Sequence, residues 1–248
     1  MFLWQPQMVS FMRDASEYSD YDEKLAKKIA GYLPQDAHVC DAGCGLGYLS
    51  LALSKYVAAV TAVDISADAL DVLGENMLRA NAMNIYAQAG DIKRYSPARP
   101  YDAMIFCFFC NTEETLAIAK AQCAGNVILI KKNSKEHRFS IGHHLLDRFS
   151  FTMTCQELND FGIPFLSEEF TLQLGQPFRC IEDAVLFFQT YSRDDHPEMI
   201  TAEHIRGQLI EDPAGRYPYY LPAEKQLGLI VIYTDDIPEV CHRAQGWS

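Results

Sequence analysis

The chain reads as an α/β protein built on a mostly parallel, doubly wound sheet, and three observations lead there. Strand-like and helix-like patterns alternate from His38 to Lys132. The first strand runs directly into a glycine-rich turn that opens a helix. Of the 248 residues, 49% are hydrophobic, enough for a core covered on both faces of a sheet. The strand-like runs are residues 38–42, 58–65, 85–90, 101–109 and 126–132, and further ones follow at 165–174 and 226–233.

The segment Val39 to Leu49, VCDAGCGLGYL, carries the strongest signal. An apolar strand ends in Asp41, and Gly43, Gly45 and Gly47 permit tight turns and close backbone approach to a ligand. An apolar helix then runs over 48–56. A dinucleotide fingerprint would place its third glycine at Tyr48, which this chain does not have, and a carboxylate at Asp41 repels phosphate. A cationic, phosphate-free cofactor suits the loop better. The second strand ends in Asp64, where an acid can hydrogen-bond both hydroxyls of a ribose. Ser66 is placed to cap a helix over 67–80 whose Leu70, Leu73 and Met77 recur at helical spacing. The sequence Gly90-Asp91-Ile92 follows the third strand. Taken singly, Asp64 could cap a helix and Asp91 could start a turn; their order behind the glycine loop favours a binding site.

With acid-x-Gly-x-Gly-x-Gly met by Asp41, Gly43, Gly45 and Gly47, the chain resembles the class I S-adenosylmethionine-dependent methyltransferases. The resemblance is firm over 36–132 and looser over the last two strands. It implies a Rossmann-like seven-stranded sheet closed by an antiparallel hairpin, a transferase activity, and S-adenosylmethionine as cofactor. It further implies that Asp41, Gly43, Gly45, Gly47, Asp64, Ile65, Asp91, Ile92 and Cys107 meet that cofactor. In the family Asp64 holds the ribose, the acid at Asp91 contacts the adenine amino group, and the next apolar residue packs on the ring. Methyltransferases acting on exocyclic or amide nitrogens often carry Asn/Asp-Pro-Pro-aromatic after the fourth strand, whereas this chain has Cys107-Phe108-Phe109-Cys110-Asn111. That difference argues against a nucleic-acid base or glutamine amide as acceptor.

Bulk properties narrow the partners. A formal charge of −12 gives a field that repels nucleic acid. The nearest basic patch, KKNSKEHR from Lys131 to Arg138, contains Glu136 and follows a strand, so it reads as a solvated loop. No apolar run is long enough to span a bilayer. The N-terminus lacks the basic segment and sustained apolar core of a secretory signal, so a cytoplasmic location is expected. Of the eight cysteines, Cys40, Cys107 and Cys110 fall in or beside buried strands and Cys44 in the glycine loop, which suits reduced thiols. The Cys107-x-x-Cys110 spacing lacks a second ligand pair, and its side chains diverge along a strand, so no metal site is expected.

The organisation is that of one domain over 1–248, with N-terminal helices over 1–35 placed to cover the cofactor and a helical lid inserted over 175–225. Trp4, Phe11, Tyr18 and Tyr21 are candidate pocket residues, with plain packing against the sheet as the alternative. The insertion is too long for a hairpin loop and holds helical patterns at 181–191 and 202–210 and the run RYPYYLP, residues 216–222. Candidate proton acceptors are His143, His144 and Tyr220, although adjacent histidines diverge and at most one of them faces a pocket. The expected acceptor is a small molecule, neutral or cationic. A protein or peptide acceptor and a non-catalytic S-adenosylmethionine-binding module are the alternatives, and the oligomeric state is left open.

Overall fold

The computed structural model describes residues 5–134, 137–141 and 151–239. Two helices, α1 (Pro6–Tyr18) and α2 (Tyr21–Ala30), precede the alternating region. That region consists of β1 (His38–Ala42), α3 (Tyr48–Leu53), β2 (Ala59–Asp64), α4 (Ala67–Ala80), β3 (Ile85–Ala89), β4 (Tyr101–Cys107), α5 (Thr112–Gln122) and β5 (Cys123–Lys132). After it come α6 (Phe151–Asp160), β6 (Leu166–Gln173), β7 (Gln176–Phe178), α7 (Ile181–Tyr191), α8 (Ala202–Arg206), β8 (Ile210–Glu211), β9 (Tyr219–Leu221) and β10 (Glu224–Tyr233).

Seven strands form one sheet in the order β3-β2-β1-β4-β5-β10-β6. The first five are parallel, while β10 runs antiparallel between β5 and β6, with Leu229 opposite Ile130 and Glu168. The expected parallel sheet with an antiparallel closing hairpin is therefore present. Burial explains the strand compositions: β1 and the centre of β10 are covered on both faces, whereas the edge strand β6 alternates between exposed and partly buried positions. One face packs Leu25, Ile29, Leu53 and Leu73 under α2, α3 and α4; the other packs Phe106, Leu116, Leu129 and Leu158 under α5 and α6.

Local chemistry sets the helix ends. Ser66 Oγ accepts the Ala69 N–H at 3.2 Å to cap α4, and Asn81 closes it with φ 51°. Asn111 and Glu114 form a reciprocal capping box at the start of α5. Strand β5 begins at Cys123 rather than 126, because Gly125 lies against the Asp102 carbonyl beside an irregularity in the β4–β5 register. Gly125 is required there by crowding and does not break the strand.

The insertion before β10 is only partly helical. Besides α7 and α8 it contains a three-stranded antiparallel sheet, β7-β9-β8, with Phe178 opposite Tyr219. Strands of two or three residues are too short to show alternation, so sequence periodicity misses them. This insertion and α1 share a separate aromatic core in which Phe11 stands edge-on to Phe187 at 5.3 Å and to Phe178 at 6.2 Å. Beside it, the buried Asp14 carboxylate accepts from Arg179 at 2.6 Å and from the Tyr217 hydroxyl at 3.1 Å.

Candidate functional site

Strand order reverses between β1 and β4, since β2 and β3 lie to one side of β1 and β4, β5 and β10 to the other. A crevice opens at the C-terminal ends of strands at such a point. The glycine loop leaves β1 into it. Gly43, Gly45 and Gly47 have φ of 71°, 54° and 75°, left-handed values that cost a side chain energy. Crowding adds a second constraint, for a Cβ at Gly43 would lie 2.5 Å from the Phe109 ring and one at Gly47 would lie 2.3 Å from Leu73. The Gly43 and Cys44 N–H groups donate to the Val63 carbonyl at 2.8 and 3.0 Å, which ties the loop to the end of β2.

Two carboxylates flank this loop. Asp41 is 2% exposed and accepts the Ser50 hydroxyl at 2.6 Å. Burial pushes its pKa up to about 6, against the opposing Ser50 hydrogen bond and with help from the charges of Asp64 and Asp22. Asp64 accepts the Gly45 N–H at 2.8 Å with one oxygen and the Ser66 N–H at 2.9 Å with the other. It therefore braces the loop and the start of α4, while the capping of α4 falls to Ser66. A carboxylate has lone pairs beyond those two, so both oxygens can still accept a ligand hydroxyl. Beside Asp64 the Ile65 side chain is 53% exposed, a free apolar face at the edge of the crevice.

Asp91 opens a turn, its Oδ1 accepting the Lys93 N–H at 3.0 Å and its carbonyl accepting from Arg94 and Tyr95. Ile92 is drawn into the core at 3% exposure, with its carbonyl held by Gln122 at 2.7 Å. Ile65 thus offers more apolar surface to a ligand than Ile92 does. Cys107 ends β4 opposite Ile130, and burial raises its thiol to about 12, so it is protonated and not nucleophilic at neutral pH. Among the described residues no group of three His, Cys, Asp or Glu side chains is placed to hold a metal ion.

Sequence pattern gives no sign of the strain in the turn after β4. Phe108 and Cys110 both adopt left-handed φ, 55° and 54°, although neither is glycine. Strain of this kind persists only where the surroundings impose it, and it clusters at ligand sites. Lys131, 2% exposed, supplies the restraint: its ammonium donates to the Cys110 carbonyl at 2.9 Å and the Phe109 carbonyl at 3.4 Å. The basic run beginning at Lys131 is therefore not wholly a solvated loop. Its first lysine is turned into the crevice wall, a direction that composition alone does not give.

The remaining candidates scatter. Tyr21 is 5% exposed and lies within electrostatic reach of Cys107, beside the crevice. Phe11 belongs to the aromatic core of the insertion, which is the packing role. The Tyr18 ring lies 5.1 Å from that of Tyr220, tilted by 45°, and the Tyr220 hydroxyl also covers Gly175. Burial and the Tyr18 hydroxyl raise the Tyr220 pKa, which opposes its use as a base. Trp4, His143 and His144 lie outside the described residues.

Residues 39–127 match a family model described as a methyltransferase domain. Over 56 residues the chain is 46% identical to the ubiquinone biosynthesis O-methyltransferase of Coxiella burnetii; that match covers 23% of this chain and 24% of that protein, so the chain spans about a quarter of the length of the curated relatives it matches. In structure it resembles the YcgJ protein of Bacillus subtilis, with TM-score 0.55 and 14% identity over 86% of this chain and 99% of that one. A putative methyltransferase from Bacillus halodurans gives TM-score 0.55 and 14% identity, covering 86% and 98% of the two chains. At such identities the structural likeness speaks for the fold. The chain thus resembles the class I S-adenosylmethionine-dependent methyltransferases, by its family model from Val39 to Val127 and by a Rossmann-like sheet beyond that segment.

Proposed function

We propose that this protein transfers a methyl group from S-adenosylmethionine to a small-molecule acceptor. One observation carries the reading: three left-handed glycines, held between a buried Asp41 and an Asp64 that accepts the Gly45 N–H, stand at the strand-order reversal of the sheet. The bound cofactor would supply an activated methyl on a positively charged sulfur. Its glycine cradle admits a ligand close to the backbone, and Asp41 favours positive charge nearby. In this reading Asp64 would accept ribose hydroxyls, Ile65 would face an adenine, and Asp91 would accept from its amino group. Phe108 and Phe109, in the turn whose Phe109 and Cys110 carbonyls Lys131 holds, would supply aromatic surface at the end of β4. Positioning is what an in-line displacement with an activated leaving group chiefly needs.

The local likeness to an O-methyltransferase of quinone biosynthesis supports a small acceptor, as do the aromatic walls of the crevice. The test is a calorimetric titration with S-adenosylhomocysteine, with NAD as control. Micromolar binding of the first and none of the second is expected. Asp64→Ala should weaken the first by about 2 kcal/mol, the worth of charge-assisted hydrogen bonds to a ribose. Binding of NAD alone, or of neither compound, rejects the reading.

A further inference from the structure

Next to the glycine loop, on the far side of Cys107, cations gather in a protein whose net charge is −12. Lys225 lies at the start of β10, which runs antiparallel to β5 and so begins at the same end of the sheet where β4 and β5 finish. Its ammonium stands 3.9 Å from the centre of the Phe108 ring and 4.9 Å from that of Tyr21. Arg138 and Lys132 are both close enough to repel it. Arg138 donates one hydrogen bond to the Glu224 carbonyl at 3.0 Å, which leaves most of its guanidinium fork uncommitted. Among the described residues none of these three cations forms an ion pair with a carboxylate. Asp22, the carboxylate whose charge favours the charged form of Lys225, is also hydrogen-bonded to Ser16.

A second observation is independent of charge. The Tyr21 hydroxyl is buried and has no hydrogen-bond partner among the described residues, on a side chain only 5% exposed. A buried hydroxyl without a partner is costly and calls for one. Cys107, Asp22 and Arg138 are its electrostatic neighbours, and its ring lies 4.9 Å from the Lys225 ammonium, so it belongs to the same cluster. Phe108, 38% exposed and held in its left-handed conformation, supplies an apolar side to that cluster.

We infer that Lys225, Arg138 and the Tyr21 hydroxyl form a subsite for an anionic group, and that the methyl acceptor is a small carboxylic acid with an apolar or aromatic body. The inference rests on the methyltransferase reading above and sharpens it. It also replaces the neutral or cationic acceptor expected from overall charge, because a local cluster of cations outweighs a distant surface field at contact range. The guanidinium fork and the ammonium match a carboxylate by charge-assisted hydrogen bonds, the hydroxyl supplies a third donor, and Phe108 takes the apolar body. Lys132 adds charge without contact, and Cys107 feels the charges of both Lys225 and Asp41, so the subsite adjoins the glycine loop. Burial first, and the repulsion of Arg138 and Lys132 next, lower the Lys225 pKa to about 7, with Cys107 and Asp22 opposing. A bound carboxylate would restore its charge.

The full-length protein, saturated with S-adenosylhomocysteine, is titrated with benzoate, phenylacetate and indole-3-acetate and with the corresponding primary amides. At least one acid should bind ten-fold more tightly than its amide, and that acid should bind several-fold more weakly at pH 8.5 than at pH 6.5. Lys225→Met and Arg138→Met should each lower the acid's affinity ten-fold or more while leaving the affinity for S-adenosylhomocysteine, which reports folding, within two-fold. Lys225→Arg should recover part of the loss. Equal binding of acid and amide, no binding of any acid, or acid binding unchanged by Lys225→Met overturns the subsite. Loss of S-adenosylhomocysteine binding by the unmodified protein would instead count against the underlying reading.

Discussion

Asp41 is held by burial in a state that works against the fold and for a ligand. Its folded pKa of about 6 lies above the 3.8 of a free aspartate. Between those values the folded chain keeps a proton that the unfolded chain has released, so this group's stabilising contribution is full below about pH 3.8 and lost as pH rises through 6. Two units correspond to roughly 3 kcal/mol. Asp41→Asn keeps an oxygen for Ser50 and removes the charge. The stability difference between variant and parent, followed by urea denaturation from pH 4 to 7, should grow with pH in the variant's favour. The variant should also bind S-adenosylmethionine at least ten-fold more weakly at pH 7. A stability difference independent of pH would show that Asp41 is ionised at no cost in the folded protein.

At the scale of elements, the turn from β4 to α5 is where sheet geometry meets chemistry. It carries two left-handed non-glycine residues, each costing about 1 to 3 kcal/mol, and Lys131 from the neighbouring strand holds carbonyls of the turn. Burial lowers the pKa of that lysine, yet two carbonyl acceptors keep it in place. Lys131→Met retains length and loses both donors. It should destabilise the protein by about 1 to 3 kcal/mol. With the turn free to relax, methyl transfer should fall by a larger factor than affinity for S-adenosylhomocysteine. Equal losses in both would mean that the turn positions the cofactor rather than the acceptor.

Over the whole molecule, two cores under the sheet and a third in the insertion are built from different residues. Phe11 and Asp14 of α1 tie the third core to the chain's beginning, and α2 packs beneath the sheet. The insertion is thus fastened to the N-terminal helix, an arrangement that suits a cover over the substrate end. Replacing residues 176–220 by a short linker, with Phe11→Gln to keep the uncovered helix soluble, should abolish turnover and preserve binding of S-adenosylhomocysteine. Surviving turnover would mean that the insertion is not needed to enclose the reaction.

How much the sequence reveals follows from the range of the interactions involved. Strand alternation, the glycine triplet and the acids at Asp41 and Asp64 are local patterns, so the parallel sheet, its crevice and the glycine loop are legible in the order of residues alone. The chain also announces the cap at Ser66 and the strong last strand, because capping and apolar runs depend on neighbours within a few residues. It does not announce that Lys131 turns inward, that Lys225 comes to rest against Phe108, or that Tyr21 buries a hydroxyl beside Arg138. Those contacts join residues on different elements, far apart in the chain, and are decided by strand order and register. Sequence by itself determined the fold class and the glycine loop; tertiary structure decided the charge of the space beside that loop, because a side chain's burial and partners arise only when distant strands pair.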